Sequence, residues 1–249
     1  MPDNNHRFGW LPATWNAPHR IHAGTTTRIG GFSSVPYDTF NLGAHVGDDP
    51  ECVARNRNLL CKKLGLAAAP CWLLQEHGSR VVNLENSSVT LPGDGAFTTC
   101  SNQICVVLTA DCLPLLLCDR QGSQIAAVHV GWRGYSRNII AHAISIFSCR
   151  PADILAWLGP AISASNYEVG PEVLAACQQV TGNSNAGFSP SRKNRWQADL
   201  AALARLQLES CGVRDIHDGN YCTYADPGMF YSYRRDGLTG RMASLIWME

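Results

Sequence analysis

The stretch Ile104–Gly134, ICVVLTADCLPLLLCDRQGSQIAAVHVGWRG, constrains the fold more than any other. Two apolar runs flank a turn-like segment, Asp119–Ser123, and each run carries one reactive side chain. Cys112 opens the first run and His129 closes the second. Apolar runs of this length, bounded by turn residues, read as buried strands. Pairing them as an antiparallel hairpin centred near Gln121 puts Cys112 opposite Val130 and Leu113 opposite His129. Opposed residues have Cβ atoms about 4.5–5.5 Å apart, and diagonal neighbours lie somewhat farther off. Local structure alone then brings a thiol close to an imidazole. The register decides the faces, because a slip of one residue reverses them.

The rest of the chain is an ordinary globular background to that hairpin. Its 249 residues are 45% apolar, enough for a sizeable core, and the formal net charge is zero. That balance excludes the basic footprint of a nucleic-acid binder and fits an enzyme acting on small molecules. The N-terminal MPDNNHRFGWLPATW lacks the basic-then-apolar pattern of a secretory signal. No apolar run reaches the length of a membrane-spanning helix. Eleven cysteines, with no C-x-x-C among them, read as reduced, mostly buried residues of a cytoplasmic protein. No partner protein is implied.

Along the chain, residues 1–20 read as a polar, proline-containing N-terminal arm, and residues 21–249 as a single domain. Ile21–Thr27 suits a strand. Asp49-Pro50 starts a helix, with an acidic cap and proline at its first position, and Gly65 ends it. Cys71–Gln75 reads as a short buried strand, with Arg80–Leu84 pairing beside it. Strands are expected near 103–109, 113–118 and 124–131. A helix is expected after Gly134 on Ile139, Ile140, Ala143, Ile144 and Phe147, then a strand over Ile154–Leu158. Pro171 and Asp199 start two further helices, separated by an exposed loop over 181–196. Val213–His217, Met229–Tyr233 and Met242–Met248 complete the strands. Strands and helices do not alternate strictly, so the class is α+β, with mixed sheets and helices packed outside.

Chemistry concentrates on few residues. Cys112 follows Thr109-Ala110-Asp111 at a strand edge, where it can serve as a nucleophile or a metal ligand; both roles need a lowered thiol pKa. His129 facing it is a general base or a second ligand. His77 follows a short apolar segment and precedes a glycine. Together the three form a ligand set suited to zinc, which takes His nitrogen and Cys sulfur and keeps a fourth position open in catalytic sites. Arg133, in Gly131-Trp132-Arg133-Gly134, and Arg28, beside Gly30-Gly31, are candidate binders of phosphate or carboxylate. Asp94, in the turn Pro92-Gly93-Asp94-Gly95, can orient a histidine or a ligand. The glycine-rich nucleotide motifs, the G-x-S-x-G elbow and the zinc-deaminase signature are all absent.

Longer motifs then carry a resemblance: TTTRIGGFS (25–33), NLGAHVGDDP (41–50), WLLQEHG (72–78), TADCLPLLLCD (109–119), AVHVGWRG (127–134), LGPAIS (158–163), YEVG (167–170) and CTYADPGMFYSYRRDGLTGRMASLIW (222–247). On these the chain resembles the YfiH family, the laccase-domain family often labelled polyphenol oxidase. The resemblance implies zinc ligands at His77, Cys112 and His129. It implies an α+β sandwich shared with bacterial deamidating toxins that use a Cys–His pair. It also implies phosphorolysis of adenosine, inosine, guanosine and methylthioadenosine, and deamination of adenosine. Phosphate would attack C1′ of the ribose, with Arg133 or Arg28 holding the anion; for deamination, water would attack C6 of adenine. Three other functions compete: copper-dependent oxidation of phenols, metal-free Cys–His hydrolysis of amides with an editing role on peptidoglycan precursors, and nucleoside binding without turnover. Only three ligands are in hand, which argues against a multicopper cluster.

Overall fold

The computed structural model describes residues 8–86, 91–182 and 186–249. The first seven residues of the expected arm, and 183–185 of the expected loop, lie outside the described residues. In chain order the strands are β1 (Trp10–Pro12), β2 (Ile21–Thr26), β3 (Val81–Asn83), β4 (Gly95–Thr98), β5 (Ile104–Thr109), β6 (Leu113–Asp119), β7 (Ile125–Val130), β8 (Ile154–Leu158), β9 (Glu168–Val169), β10 (Phe188–Pro190), β11 (Trp196–Ala198), β12 (Asp215–Asp218) and β13 (Met242–Met248). The helices are α1 (Pro50–Leu64), α2 (Trp132–Ser136), α3 (Ile139–Ser145), α4 (Pro171–Thr181), α5 (Leu200–Ser210) and α6 (Tyr233–Asp236).

Two sheets form a sandwich. A mixed six-stranded sheet runs β12-β8-β6-β7-β4-β3, and a four-stranded antiparallel sheet runs β1-β2-β13-β5. The period-2 alternation of a strand sends its side chains to two different cores. From β6, Leu113, Leu115 and Leu117 pack with Ile140 of α3 and Leu203 of α5. Leu116 and Cys118 of the same strand meet Val107 of β5 and Ile246 of β13 between the sheets. On the far side of the smaller sheet, Val106 and Leu245 pack with Leu60 of α1. The layers are therefore helix, sheet, sheet, helices: the α+β sandwich expected.

Several local expectations hold for stated reasons. Asp49 caps α1 by accepting from the Glu51 amide, and Gly65 ends it in the left-handed conformation at φ 62°. Asp199 caps α5 by accepting from the Ala202 amide. All eleven cysteines are free, but only Cys105, Cys118 and Cys177 are fully buried.

Other expectations are corrected. The hairpin register is one residue away from that expected: Leu113 pairs with Val130 and Pro114 with His129. The cause is the turn, whose centre falls between Gln121 and Gly122 rather than on Gln121. Asp119 organises it, accepting from the amides of Ser123 and Gln124, while Gly122 takes φ 66°. Cys71–Gln75 is extended but makes only isolated bridges, and Leu74 is 58% exposed. Consequently β3 pairs parallel with β4, not with that segment. Met229–Tyr233 is not a strand: Met229 ends a turn, 230–232 are irregular and Tyr233 opens α6, while the amides of Met229 and Phe230 bond back to Asp226. The expected 181–196 loop contains β10, which pairs with β11. The last strand before α6 starts at Asp215 rather than Val213. The helix after Gly134 starts earlier, at Trp132, and is interrupted at Asn138 (φ 62°).

Candidate metal centre and its cleft

The corrected register settles which face each reactive residue takes. His129 opposes Pro114, and Cys112, one residue before β6, shares the face of Pro114. In the expected register the two would have faced opposite ways. Cys112 lies beside Gly131: a Cβ at that glycine would sit 2.9 Å from Cys112 Sγ, so the backbone there makes room for the sulfur. His77 reaches the pair from the segment before β3, with its own backbone at φ 56°. The His77 and His129 rings meet edge to face with centroids 4.8 Å apart. The ligand atoms of His77, Cys112 and His129 all lie within 4.8 Å of one another.

Asp94 holds this arrangement. It is 1% exposed, at the start of β4. Its Oδ1 meets His129 Nδ1 at 2.9 Å and accepts from the His77 amide at 2.9 Å. Its Oδ2 accepts from the amides of Gly78 (2.6 Å) and Glu76 (3.2 Å). One carboxylate thus fixes the His77 loop and engages His129 Nδ1, leaving Nε2 for the other members of the trio. A ligating histidine usually has its second nitrogen fixed in this way. Of the roles the sequence allowed Asp94, a bond to a histidine, a ligand or phosphate, the structure shows the bond to His129 and the amides of the His77 loop.

The electrostatics follow from the contacts. Burial pushes the Cys112 thiol up, but the His129 and His77 imidazoles outweigh it and bring the thiol down to about 6. Burial lowers His129, yet the Cys112 thiolate and the Asp94 carboxylate raise it to about 9. Burial raises Asp94, while His129 and the backbone amides hold it below its ordinary value. Cys118 and Cys177, with no such neighbours, are pushed up to about 12 by burial. A lowered thiol and two imidazoles, one braced by a carboxylate, are compatible with a metal ion.

The trio lines a cleft of about 420 Å³. Arg133 also lines it, stacked over the Trp132 ring at 4.3 Å. Arg28 does not: its guanidinium donates to the Asp38 carbonyl and carboxylate and to the Pro227 carbonyl. Further residues complete the walls. Asp111 accepts from the Thr223 hydroxyl and the Arg234 amide, both at 2.7 Å. The Arg234 guanidinium lies over Tyr167, 5.0 Å from the ring centroid. His45, Gln75, Tyr233 and Arg241 line the remaining sides. They stand inside or beside the longer motifs, and that is the one sequence signal they carry.

Residues 22–249 match the family described as multi-copper polyphenol oxidoreductase laccase. A purine nucleoside phosphorylase of Haemophilus influenzae is 43% identical over 237 residues, 94% of this chain and 97% of its own. The purine nucleoside phosphorylase YfiH of Escherichia coli is 43% identical over 235 residues, 94% of this chain and 96% of its own. Among solved structures, the Neisseria meningitidis protein NMB0706 superposes with a TM-score of 0.93 at 42% identity, covering 97% of this chain and 99% of its own. The match spans nearly the whole chain, so the protein belongs to the laccase-domain family whose named relatives include the purine nucleoside phosphorylase YfiH.

Proposed function

We propose that the chain is a zinc-dependent purine nucleoside phosphorylase, with the metal on His77, Cys112 and His129. The observation that carries this reading is the convergence of the three ligand atoms at a cleft of nucleoside size. Small-molecule sites commonly enclose about 300–1,000 Å³. Tyr167 and Trp132 line it with aromatic surface for a purine, and the cleft arginines offer donors to an anion. When bound, zinc supplies Lewis acidity. Asp94 acts as a positioning residue, holding the His129 tautomer and the His77 backbone.

In phosphorolysis, a phosphate oxygen forms a bond to C1′ as the C1′–N9 bond breaks. The bonding pair leaves with the base, and the proton brought by phosphate ends on it. The products are free purine and ribose 1-phosphate. The reading extends to adenosine, inosine, guanosine and methylthioadenosine, and to deamination of adenosine, where water adds at C6 and ammonia leaves. It treats residues 21–249 as the catalytic unit of a cytoplasmic enzyme; of the expected arm, Trp10–Pro12 instead add an edge strand to its smaller sheet.

The test is incubation of metal-loaded protein with adenosine and phosphate, with and without chelator. Adenine with ribose 1-phosphate is expected, suppressed by chelator; inosine and hypoxanthine report deamination. Absence of base release, or undiminished release from Cys112→Ala, overturns the reading. Copper-dependent phenol oxidation is a second reading, favoured by the family's description and by a His₂Cys donor set that copper also accepts. Among the described residues this trio is the only such group, which disfavours a multicopper cluster. Oxygen uptake with a phenol by copper-loaded protein, against a copper-free control, would revive it.

A further inference from the structure

Arg241 immediately precedes β13 and reaches into the cleft. Its Nη1 donates to the carbonyls of Thr239 and Gly240, each at 2.9 Å. Among the described residues, its Nε and Nη2 donate to nothing and it forms no ion pair. Cys112 and Asp111, which line the same cleft, favour its charge. The two Asp111 oxygens, however, are engaged by Thr223 and the Arg234 amide. Its face lies over the Tyr233 ring, 6.0 Å from the centroid, and what it lacks is a hydrogen-bond partner for the Nε–Nη2 edge. An oxyanion accepting two parallel bonds from the Nε–Nη2 edge would supply it.

His45, an exposed residue, lines the same cleft, and the loop before it is tied to Arg241. Asn41 Oδ1 accepts from the amides of both Gly43 and Arg241, each at 2.9 Å. Asn41 Nδ2 donates to the Gly43 carbonyl at 3.1 Å and the Asp48 carboxylate at 2.9 Å. A Cβ at Gly43 would fall 2.8 Å from Arg241 Cγ, so the loop packs directly on the arginine stem. Nearby Arg57 gives Nε and Nη2 to the Leu42 carbonyl and likewise has no ion pair among the described residues. Burial first, then Arg241, Arg57 and His77, hold the His45 imidazole below its ordinary value, as a positive wall requires. Arg133 is exposed, as His45 is, and its guanidinium stacks more closely on a ring, 4.3 Å from the Trp132 centroid against 6.0 Å for Arg241 over Tyr233.

We propose that Arg241 and His45 form the anion subsite of the cleft and take the inorganic phosphate that attacks the nucleoside. The assignment rests on the phosphorylase reading for the identity of the anion, but binding tests it without turnover. Metal-loaded protein is titrated with inorganic phosphate by calorimetry, and the phosphate and nucleoside KM values are measured separately. Arg241→Lys keeps the charge but loses the fork. It is expected to raise the phosphate KM about tenfold or more, the scale of one charge-assisted bidentate contact. The nucleoside KM should move by less than about twofold. His45→Gln should raise the phosphate KM by a smaller factor, and Arg241→Gln should abolish the calorimetric signal.

Circular dichroism checks folding, and if Arg241→Gln fails to fold, Arg241→Lys and His45→Gln decide. The proposal is overturned if wild-type protein binds no phosphate, or if Arg133→Gln weakens phosphate more than Arg241→Lys does. It is also overturned if Arg241→Lys weakens inhibition by a nucleoside monophosphate while leaving the phosphate KM unchanged. If phosphate binds and Arg241→Gln abolishes it, yet no nucleoside is cleaved, the subsite stands and the phosphorylase reading falls.

Discussion

Cys112 and Cys222 are both held below the ordinary thiol range, yet by different neighbours. Around Cys222, burial is outweighed by the Ser163 hydroxyl at 3.0 Å and the Ser163 amide at 3.3 Å, with other backbone amides helping. Around Cys112, two imidazoles do the work, and a buried carboxylate stands behind one of them. Neutral donors stabilise a thiolate but add no ligand atom. Imidazoles stabilise it and complete a metal-binding set. Both environments can make a thiol reactive, but only the Cys112 environment brings together a His–Cys–His donor set compatible with a metal ion.

The largest expected difference is in turnover. Cys112→Ala should lower kcat/KM by at least about a hundredfold, since Lewis acidity is worth several kcal/mol. Cys222→Ala should change it by less than about twofold. Equal losses in steady-state assays would erase the distinction. Next is Asp94→Asn, expected to weaken metal binding by about 10–100-fold, as loss of an outer carboxylate does. Competition with a metallochromic chelator measures this, and unchanged affinity would remove Asp94 from its positioning role.

The smallest effect is on the stability of metal-free protein. The Cys112 thiol is depressed, so its contribution is present above the ordinary value of 9.0 and lost as pH falls through about 6. His129 is raised, so its contribution is full below 6.5 and lost as pH rises through about 9. The two belong to one coupled pair, and Tm should peak between these limits. Thermal melts of Cys112→Ser should show a flatter profile. A peak retained in that variant would mean that the pair is not the cause.

The layers and most helix ends were legible because their signals are local: apolar alternation, Asp49-Pro50, and Gly65. The hairpin was legible as a pair of strands, but its register depended on whether the turn is centred on a residue or between two. Cys71–Gln75 has the composition of a strand, yet β4 takes β3 as its neighbour on that edge. Of the site, the family motifs pointed to His77, Cys112 and His129. Asp94 looked like a turn residue because its partners lie 16 to 35 positions away. Arg28 looked like an anion binder because glycines follow it; its bonds to Asp38 and Pro227 arise only in the folded chain. Arg241 carried no local signal, since what distinguishes it is an unused donor edge.

The position of β13 has a consequence for how the protein matures. It is central in its sheet, hydrogen-bonded to β2 on one side and β5 on the other, although both precede it in the chain by more than a hundred residues. His77, Asp94, Cys112 and His129 have all been synthesised well before β13 leaves the ribosome. The wall bearing Arg241 closes only when that strand slots between its neighbours. A nascent chain therefore holds the His77, Cys112 and His129 side chains before the cleft they line has its Arg241 wall, which is completed only when β13 arrives.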